Sequence, residues 1–477
     1  MNKITLRIMS AAAAAVLALS LTACSSGGSV STVSRTGTDS ALSEDSTAEV
    51  RETQASEVSP AEDESAVSAF SSDTVSQESS LIPDASSNSY DDSVENVLSA
   101  NVTSSGAIDA SDLFTERDLT QTADLSEAVY YTLSDGQDIT ITEEGVYVLK
   151  GSASEVTVTV DAASEDKVQI VLDGVSVTNT DAPCIYVKNA DKVFITTASS
   201  ENTLEVSGTF SADGETSTDA VIFSKDDLVL NGTGSLNIRS TDNGITSKDD
   251  IKVTGGSYSI SCVSDAFEAN DMIAVADGNI SVSTEGDAFK AENDEDDTQG
   301  MIYICGGTID IDAGDDGMHA ACILQIDGGS ITVSAGEGLE ATWVQINGGE
   351  ISLSASDDGI NAAAKSSAYT PTLEVNGGYV SVSMGAGDTD ALDVNGYLYI
   401  NGGTLDITAQ SPFDYDLGAE YNGGTIIVNG TETDTITNQF GGMGGMPGGQ
   451  GDDFGGGMQG GFNGGMPGGP NGGFGHF

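Results

Sequence analysis

Residues 314–361 read GDDGMHAACILQIDGGSITVSAGEGLEATWVQINGGEISLSASDDGIN, and one short phrase occurs in them three times. The phrase is an acidic residue, a glycine and an apolar residue, with Gly317, Gly338 and Gly359 spaced 21 residues apart. Earlier copies begin at Asp242, Asp265 and Asp287, and a more divergent copy centres on Asp390. A period of this length is typical of a solenoid, in which each repeat is one coil that buries its core only against neighbouring coils.

Between the acidic phrases, apolar residues alternate with polar ones, as they do in strands with one buried face. Ile326 precedes the Gly-Gly pair at 328–329, and Ile331 and Val333 follow it. Such a pair favours a sharp corner with positive φ, and a helical period of 3.6 fits none of these segments. The sequence therefore predicts an all-β chain with a single right-handed parallel β-helix over residues 126–430, in coils of about 21–23 residues.

The first 24 residues have the features of a bacterial lipoprotein signal peptide. Lys3 and Arg7 provide the positive end, residues 11–19 the apolar stretch, and LTAC, ending at Cys24, matches a lipobox. We expect a diacylglyceryl group on Cys24, since two acyl chains suffice for stable anchoring. This predicts a protein anchored by lipid to the extracellular face of the cell membrane.

Three other parts of the chain lie outside the regular coils. Residues 25–125 are rich in Ser, Thr and acidic residues, which predicts a disordered, extended linker. Residues 431–477 form a low-complexity tail rich in Gly, Met and Pro; this composition is typical of a disordered terminus, and a role in wall association or self-association stays open. Insertions at 292–300 and 365–371 are predicted to be loops on one face of the β-helix.

The charge balance restricts the partners. Asp and Glu number 75 against 15 Lys and Arg, a formal net charge of −60. Nucleic acid is excluded as a partner, because its binding depends on neutralising phosphates with basic side chains.

Besides Cys24, the cysteines are Cys184, Cys262, Cys305 and Cys322. They occupy different phases of the repeat, so stacking does not indicate a pairing, and their disulfide state stays open. We expect a monomer.

Stacking the coils places the acidic residues of the phrase above one another. Adjacent coils are about 4.8 Å apart, where two carboxylates repel by about 1 kcal/mol in water and by about 3 kcal/mol at an effective dielectric constant of 20. A divalent cation between coils would convert this repulsion into binding, and oxygen ligands suit Ca²⁺. Solvent screening and the preference of Asp for turns are the alternative explanation.

The predicted Ca²⁺ ligands are the acidic residues of the phrase and of the positions beside it: Asp265, Glu268, Asp287, Asp315, Asp316, Glu337, Glu340, Asp357, Asp358, Asp388 and Asp390. Glu337 is informative because Glu is a poor corner residue and a good oxygen ligand. We interpret His319 as a surface residue rather than as a ligand for a softer metal.

Several motifs resemble those of a family of carbohydrate-binding domains from clostridial-type bacteria. They are GVYVL at 145–149, VQIVLDGV at 168–175, CIYVKNADKV at 184–193, IFSKDDL at 222–228 and DDGMHA at 315–320. The resemblance covers about residues 125–430, and it implies a right-handed parallel β-helix, Ca²⁺ binding and, in some members, binding of acidic plant polysaccharide. Pectate-lyase solenoids are similar in fold only.

The favoured function is Ca²⁺-dependent binding of a polysaccharide. We expect an acidic one, like pectin or polygalacturonate, because a cation could join an anionic glycan to an anionic protein. Trp343, Tyr303 and Tyr369 are candidates for stacking on sugar rings. One alternative is a uronate lyase, which needs a base and a charge-stabilising cation. Lys290 is the candidate base, although it could equally be a counter-charge for neighbouring carboxylates. A structural or adhesive surface protein is the other alternative.

Overall fold

A computed structural model describes residues 101–102, 108–386 and 389–438. Their regular secondary structure is β-strand, and turns and bends connect the strands. Each coil contributes one strand to each of three parallel stacks, which we call S1, S2 and S3 in the order in which a coil enters them. The predicted all-β parallel β-helix is confirmed. It is built by stacking coils whose backbone hydrogen bonds run along the solenoid axis.

Each stack extends over most of the solenoid. S1 comprises Ile139–Ile141, Val158–Asp161, Ile185–Asn189, Ala220–Ser224, Asn243–Ser247, Phe267–Ala269, Phe289–Ala291, the starts of Asp316–Ile326 and Glu337–Ile346, Ile360–Ala362, Leu392–Val394 and Asp414–Tyr415. S2 comprises Val129–Thr132, the starts of Gly145–Ser154 and Lys167–Asn179, Lys192–Thr197, Asp227–Gly232, Asp250–Val253, Met272–Val275, Met301–Ile304, the ends of Asp316–Ile326 and Glu337–Ile346, Thr372–Val375, Tyr397–Ile400 and Gly418–Tyr421.

S3 comprises the ends of Gly145–Ser154 and Lys167–Asn179, then Glu201–Val206, Ser235–Arg239, Ser257–Ser261, Asn279–Ser283, Thr308–Asp312, Ser330–Ala335, Glu350–Ala355, Tyr379–Met384, Thr404–Thr408 and Thr425–Val428. Among the described residues, two short strand pairs and the isolated bridge between Asp213 and Thr216 are antiparallel. Thr431–Thr433 pairs with the last S3 strand, and Asn101–Val102 pairs with Ile108–Asp109.

The core consists of ladders of like residues inside the coils. Ile326 stacks on Ile346 and Ile331 on Ile351, and all four are at most 1% exposed, as the period-two pattern predicts. In S1, Phe267 and Phe289 stack with ring centroids 4.8 Å apart. The spacing between coils therefore sets the distance between stacked core side chains, and each core residue packs against the equivalent residue of the next coil.

The Gly-Gly corner between S2 and S3 requires glycine for two different reasons. Gly349 has a φ of +92°, a backbone conformation that L side chains rarely adopt. At Gly348 a Cβ atom would lie 2.4 Å from the carbonyl oxygen of Asp327 in the preceding coil. The turn conformation thus requires glycine at 349, and the close stacking of coils requires it at 348.

An amide ladder explains why asparagine precedes these glycine pairs. Each side-chain amide donates a hydrogen bond to the equivalent residue of the preceding coil. The ladder runs from Asn347 to Asp327 Oδ1 (2.7 Å), Asn376 to Asn347 (2.8 Å), Asn401 to Asn376 (2.7 Å) and Asn422 to Asn401 (2.9 Å). Stacked amides satisfy one another without charge, in contrast to the carboxylates at the S1 corner.

Residues 108–122 run across the outer face of S2. The backbone N–H of Ile108 donates to Gln325 Oε1 at 2.6 Å, and the guanidinium carbon of Arg117 lies 4.4 Å from the ring centroid of Phe194. Ile108 and Leu113 are buried against outward-facing apolar residues of S2. These residues belong to the predicted linker, so the segment that packs on the β-helix begins before residue 126.

Several sequence predictions fall outside the described residues: the signal peptide with Cys24, linker residues 25–100 and 103–107, the tail from residue 439, and Asp388. Within the described part, no helix has the length and apolar character needed to cross a membrane. Its four cysteines are free thiols, of which Cys184, Cys262 and Cys322 are buried.

Candidate acidic ligand site

The acidic phrases form a column at the corner that leads into S1, and we call it the corner column. It contains Asn243, Asp265, Asp287, Asp316, Glu337, Asp358 and Asp390. In several coils one side-chain oxygen accepts a hydrogen bond from the backbone N–H of the next coil, as when Asp287 Oδ1 accepts from Asp316 at 2.9 Å. Asn243 and not Asp242 pairs with Asp265, so the column starts one residue later in that coil than the sequence repeat indicates.

A second column lies on the outer face of S1, three residues further along each coil, and we call it the face column. It contains Glu268, Lys290, His319, Glu340, Asn361 and Asp393 in register. Basic and acidic side chains are mixed along it. The protein therefore supplies some of the positive charge that the corner column requires.

His319 is enclosed between carboxylates, and the interpretation of it as a surface residue is wrong. Its side chain is 12% exposed, and its Nδ1 atom lies 3.0 Å from Asp316 Oδ2 and 2.8 Å from Glu340 Oε2. Burial lowers the pKa of His319, but hydrogen bonds with Asp316 and Glu340 outweigh it and raise the value to about 10. His319 is thus a cation at neutral pH.

Glu340 is the best-compensated carboxylate of the site. Burial raises its pKa, but hydrogen bonds with His319 and Lys365 prevail and lower the value to about 2. Lys365 Nζ lies 2.8 Å from Glu340 Oε1. This pairing uses the insertion at 365–371, which brings a basic residue back over the face column.

Lys290 has the position of a counter-charge. Its Nζ atom lies 3.5 Å from Asp265 Oδ2 and 3.7 Å from Asp287 Oδ2. Burial opposes its charge, yet these two carboxylates raise its pKa above the ordinary value. A lysine held protonated in this way is a poor proton acceptor at neutral pH.

In the described part of the corner column, Glu337 and Asp358 lack such compensation, and Asp287 has it only from Lys290 at 3.7 Å. Burial, with the charges of neighbouring carboxylates, raises the pKa of Asp287 to about 6, of Glu337 to about 7 and of Asp358 to about 6. Carboxylate oxygens of Asp316, Glu337 and Glu340 lie within 4.8 Å of one another. Oxygen donors at this spacing fit the requirements of Ca²⁺. Asp316 and Glu340 have basic partners, so Glu337 is the member of the cluster whose charge is left without an ion pair among the described residues.

The other predicted ligands take different roles or positions. Asp315 and Asp357 are exposed in the turns. Glu268 is paired with Lys248 at 3.2 Å and accepts a hydrogen bond from the Asn243 amide at 2.6 Å. Asp390 accepts a hydrogen bond from the Ser411 hydroxyl. The structure thus concentrates the candidate metal ligands on Asp316, Glu337 and Glu340, with Asp287 and Asp358 in the adjacent coils.

A second acidic cluster, which the sequence reasoning missed, lies at the corner between S1 and S2. Carboxylate oxygens of Asp227, Asp249 and Asp250 lie within 4.8 Å of one another. Lys192 Nζ lies 3.4 Å from Asp227 Oδ2, and Lys252 Nζ lies 3.5 Å from Asp250 Oδ2. The doublets at 226–227 and 249–250 repeat with the coil period, a signal that could have revealed this cluster.

A groove of about 700 Å³ borders the face column near Lys290. Its lining residues are Lys248, Glu268, Asn270, Lys290, Glu292, Asn293, Asp294, Glu295 and Asp296. The two predicted insertion loops meet beside it, where the Ser366 hydroxyl donates to the carbonyl oxygen of Asp297 at 2.5 Å. A groove lined by amides, ammonium groups and carboxylates offers the donors and acceptors that a hydroxyl-rich ligand requires.

The three candidate aromatic residues differ in accessibility. Tyr303 is 4% exposed, lies beside Phe114 of the segment that crosses S2, and donates its hydroxyl to Asp327 Oδ2 at 2.8 Å. Its covered ring cannot stack on a sugar in this structure. Trp343 and Tyr369 are partly buried and form an edge-to-face pair with centroids 5.6 Å apart.

Comparison with known proteins places the chain in a family. The profile of the family described as "Carbohydrate-binding domain-containing protein" matches residues 135–391. A protein of the same description from Acetivibrio thermocellus is 32% identical over 128 residues, which are 26% of this chain and 45% of the relative. The chain thus spans less than half the length of that relative.

A solved structure of a polysaccharide lyase-like protein from C. thermocellum, a gadolinium derivative, aligns with 61% of this chain and 99% of that chain, at 23% identity and a TM-score of 0.38. The family match extends from the first coils of the β-helix to the corner column at Asp390. It includes the face column as far as Asn361 and both insertion loops. The chain therefore belongs to the carbohydrate-binding domain-containing family.

Proposed function

We propose that this protein is a lipid-anchored cell-surface protein that binds an acidic polysaccharide through Ca²⁺ held at the corner column. The observation that carries the proposal is the cluster of Asp316, Glu337 and Glu340, whose carboxylate oxygens lie within 4.8 Å of one another. Membership of a carbohydrate-binding family supports a glycan as the ligand. The proposed molecule is a monomer.

Glu337 is the centre of the proposed Ca²⁺ site. It is in register with Asp316, and the charge of Asp358 in the following coil contributes to its raised pKa. The basic side chains nearby are already paired, His319 with Asp316 and Glu340 and Lys290 with Asp265 and Asp287. Glu337 and Asp358 are therefore the carboxylates that most need a cation.

A cation also explains how an anionic glycan can approach this protein. The chain carries a formal net charge of −60, so a polyuronate is repelled over the distance that salt screening allows. Ca²⁺ takes 6–8 oxygen ligands, more than a few carboxylates supply. The remaining positions are available to carboxylate and hydroxyl oxygens of the glycan or to water.

The test is retention of the purified full chain by polygalacturonate in affinity electrophoresis. We expect retention with about 1 mM Ca²⁺ and its loss in EGTA, because removal of the cation restores charge repulsion. Glu337→Gln should weaken retention about tenfold or more, because even the loss of an outer-shell partner costs a metal site about 10–100-fold in affinity. Glu350→Gln, an exposed change on S3, is the matched control. Retention that persists unchanged in EGTA would contradict the Ca²⁺-bridge mechanism.

The cellular location is part of the proposal and rests on the lipobox ending at Cys24. The linker that follows would hold the β-helix away from the membrane. Incorporation of a labelled fatty acid by the wild type and by Cys24→Ala tests this part separately. Equal labelling of the two would contradict the anchor.

Catalysis of uronate elimination is disfavoured by the charge state of Lys290. Its contacts with Asp265 and Asp287 favour the protonated form, so it is a poor acceptor at neutral pH for the proton next to the uronate carboxylate. We expect no ultraviolet-absorbing unsaturated product during long incubation of polygalacturonate with the protein and Ca²⁺. Product formation by the wild type that Lys290→Ala abolishes would establish a lyase instead.

A further inference from the structure

The outer face of S2 is apolar along part of the solenoid, and there the chain covers it itself. Met272, Met301 and Ile323 face outward from this sheet and are at most 2% exposed. Ile108 and Leu113, from the segment that crosses S2, pack against them. The apolar character of this part of S2 is thus explained by its cover.

Further towards the C-terminus the same face carries aromatic residues that stay accessible. Tyr397 and Tyr399 alternate with Leu398 and Ile400, which are fully buried, so both tyrosines point outward. Tyr397 is 40% exposed. Their rings are nearly parallel, with an interplanar angle of 22° and centroids 6.1 Å apart. Tyr397 is exposed and Tyr399 is partly buried, so the two nearly parallel rings form a small aromatic platform on this face, and exposed apolar patches mark interaction sites.

The platform is close to the partly buried pair of Trp343 and Tyr369. In the register of S2, Trp343 pairs with Thr372, and Thr372 pairs with Tyr397. At the usual strand spacing this separates Trp343 from Tyr397 by about 10 Å along the solenoid axis. An extended polymer lying parallel to the axis could contact both groups.

The charges around the platform select the kind of ligand. Glu374 and Glu420 flank Tyr399 in register, and the sequence contains no Lys or Arg after Lys365. An anionic partner would meet only negative charge here. Carboxylates accept hydrogen bonds from hydroxyl groups, and aromatic faces contact the apolar C–H faces of pyranose rings. A neutral glycan satisfies both conditions.

We propose that Tyr397 and Tyr399, with Glu374 and Glu420 beside them, form a second binding surface that takes a neutral polysaccharide chain without Ca²⁺. Its sugar rings stack on the tyrosines and its hydroxyl groups donate to the two carboxylates. The inference rests on the proposed function in assigning a glycan ligand. The second surface differs from the proposed Ca²⁺ site in its position, in the charge of its ligand and in needing no cation.

The test is affinity electrophoresis of the full chain in gels that contain hydroxyethyl cellulose and EGTA. The wild type should be retarded, and Tyr397→Ala/Tyr399→Ala should lose about tenfold or more in affinity, as expected for aromatic hot spots. Tyr130→Ala is the matched control, because Tyr130 is 57% exposed near the other end of S2. Retardation by polygalacturonate with Ca²⁺ should be unchanged in the double variant.

Several outcomes would overturn the platform. It would fail if the neutral glycan did not retard the wild type, or if the affinity of the double variant stayed within twofold of that of the wild type. It would also fail if Tyr130→Ala lost as much affinity as the double variant. A dimer in light scattering that the double variant abolishes would make the platform an interface between copies. Failure of the Ca²⁺-dependent arm alone would contradict the proposed function and leave the platform standing, so the two failures are distinguishable.

Discussion

Phe289→Ala is expected to lower the free energy of unfolding by about 3–5 kcal/mol, the usual cost of removing a buried phenylalanine ring. Phe289 is fully buried in the S1 core and stacks on Phe267 with ring planes 11° apart. Met318 continues the ladder on its other side. Because the coils are held at strand spacing, the cavity cannot close by bringing neighbouring residues together. Chemical denaturation followed by circular dichroism measures the loss.

Phe289→Leu is the control for this prediction. It keeps an apolar side chain in a ladder whose later members are Met318, Leu339 and Ile360, so it should cost about 1.5 kcal/mol or less. A loss below about 1 kcal/mol for Phe289→Ala would show that the solenoid relaxes around the cavity, contrary to the stacked-ladder description.

Millimolar Ca²⁺ is expected to raise the unfolding temperature of the protein. A ligand that binds only the folded state stabilises it by about 2.7 kcal/mol at 100 times its Kd. The stabilisation by Ca²⁺ should vary with pH, and the pKa values of the corner column determine the direction. Folded-state pKa values of about 7 for Glu337 and about 6 for Asp358 lie above their ordinary values. Their stabilising contribution is complete at low pH and is lost as the pH rises through these values.

His319 acts in the same direction at higher pH. Its pKa of about 10 lies above the ordinary value, so its contribution is lost as the pH rises from about 6.5 towards 10. Without Ca²⁺, stability should therefore fall from about pH 4.5 to pH 8. The Ca²⁺ increment should grow over the same interval, because the cation stabilises the charged carboxylates.

Glu337→Gln and Asp316→Asn/Asp358→Asn test the origin of the increment. Each removes negative charge from the column with little change in shape, so most of the Ca²⁺ effect should disappear. The Ca²⁺-free stability should rise or stay level in Glu337→Gln, whereas the double variant also breaks the contact between Asp316 and His319 and should lose stability. Asp315→Asn is the matched control at an exposed carboxylate. An unchanged melting curve of the wild type at 1 mM Ca²⁺ and pH 8 would count against the column as a Ca²⁺ site.

The sequence repeat was sufficient to predict the fold and most of the residues that stack, with Asn243 in place of Asp242 as the exception. Its period defines the coils, the alternation defines the strands, and the Gly-Gly pairs define a corner that only glycine can form, as at Gly348 and Gly349. In a parallel β-helix, residues of one phase lie above one another at a fixed spacing. The column of Asp287, Asp316, Glu337 and Asp358 follows from that rule alone.

The environment of each stacked residue was decided by the tertiary structure. Sequence phase did not indicate that His319 lies between Asp316 and Glu340, or that Lys365 returns from an insertion to reach Glu340. These contacts join residues of different coils through side-chain direction and loop path, which a period does not encode. They determine which carboxylates are compensated and which still need a cation.

The sequence also could not predict which outward-facing residues of S2 stay accessible. Tyr303 and Tyr399 both face outward from S2, yet the first is covered and the second belongs to the exposed platform. The difference is made by residues 108–122, far away in the sequence and without the repeat, which cross one part of S2 and not the other. The sequence by itself determined which residues stack and which face outward; only the folded chain decided which of those faces stay open to a ligand, because cover comes from segments that the repeat does not describe.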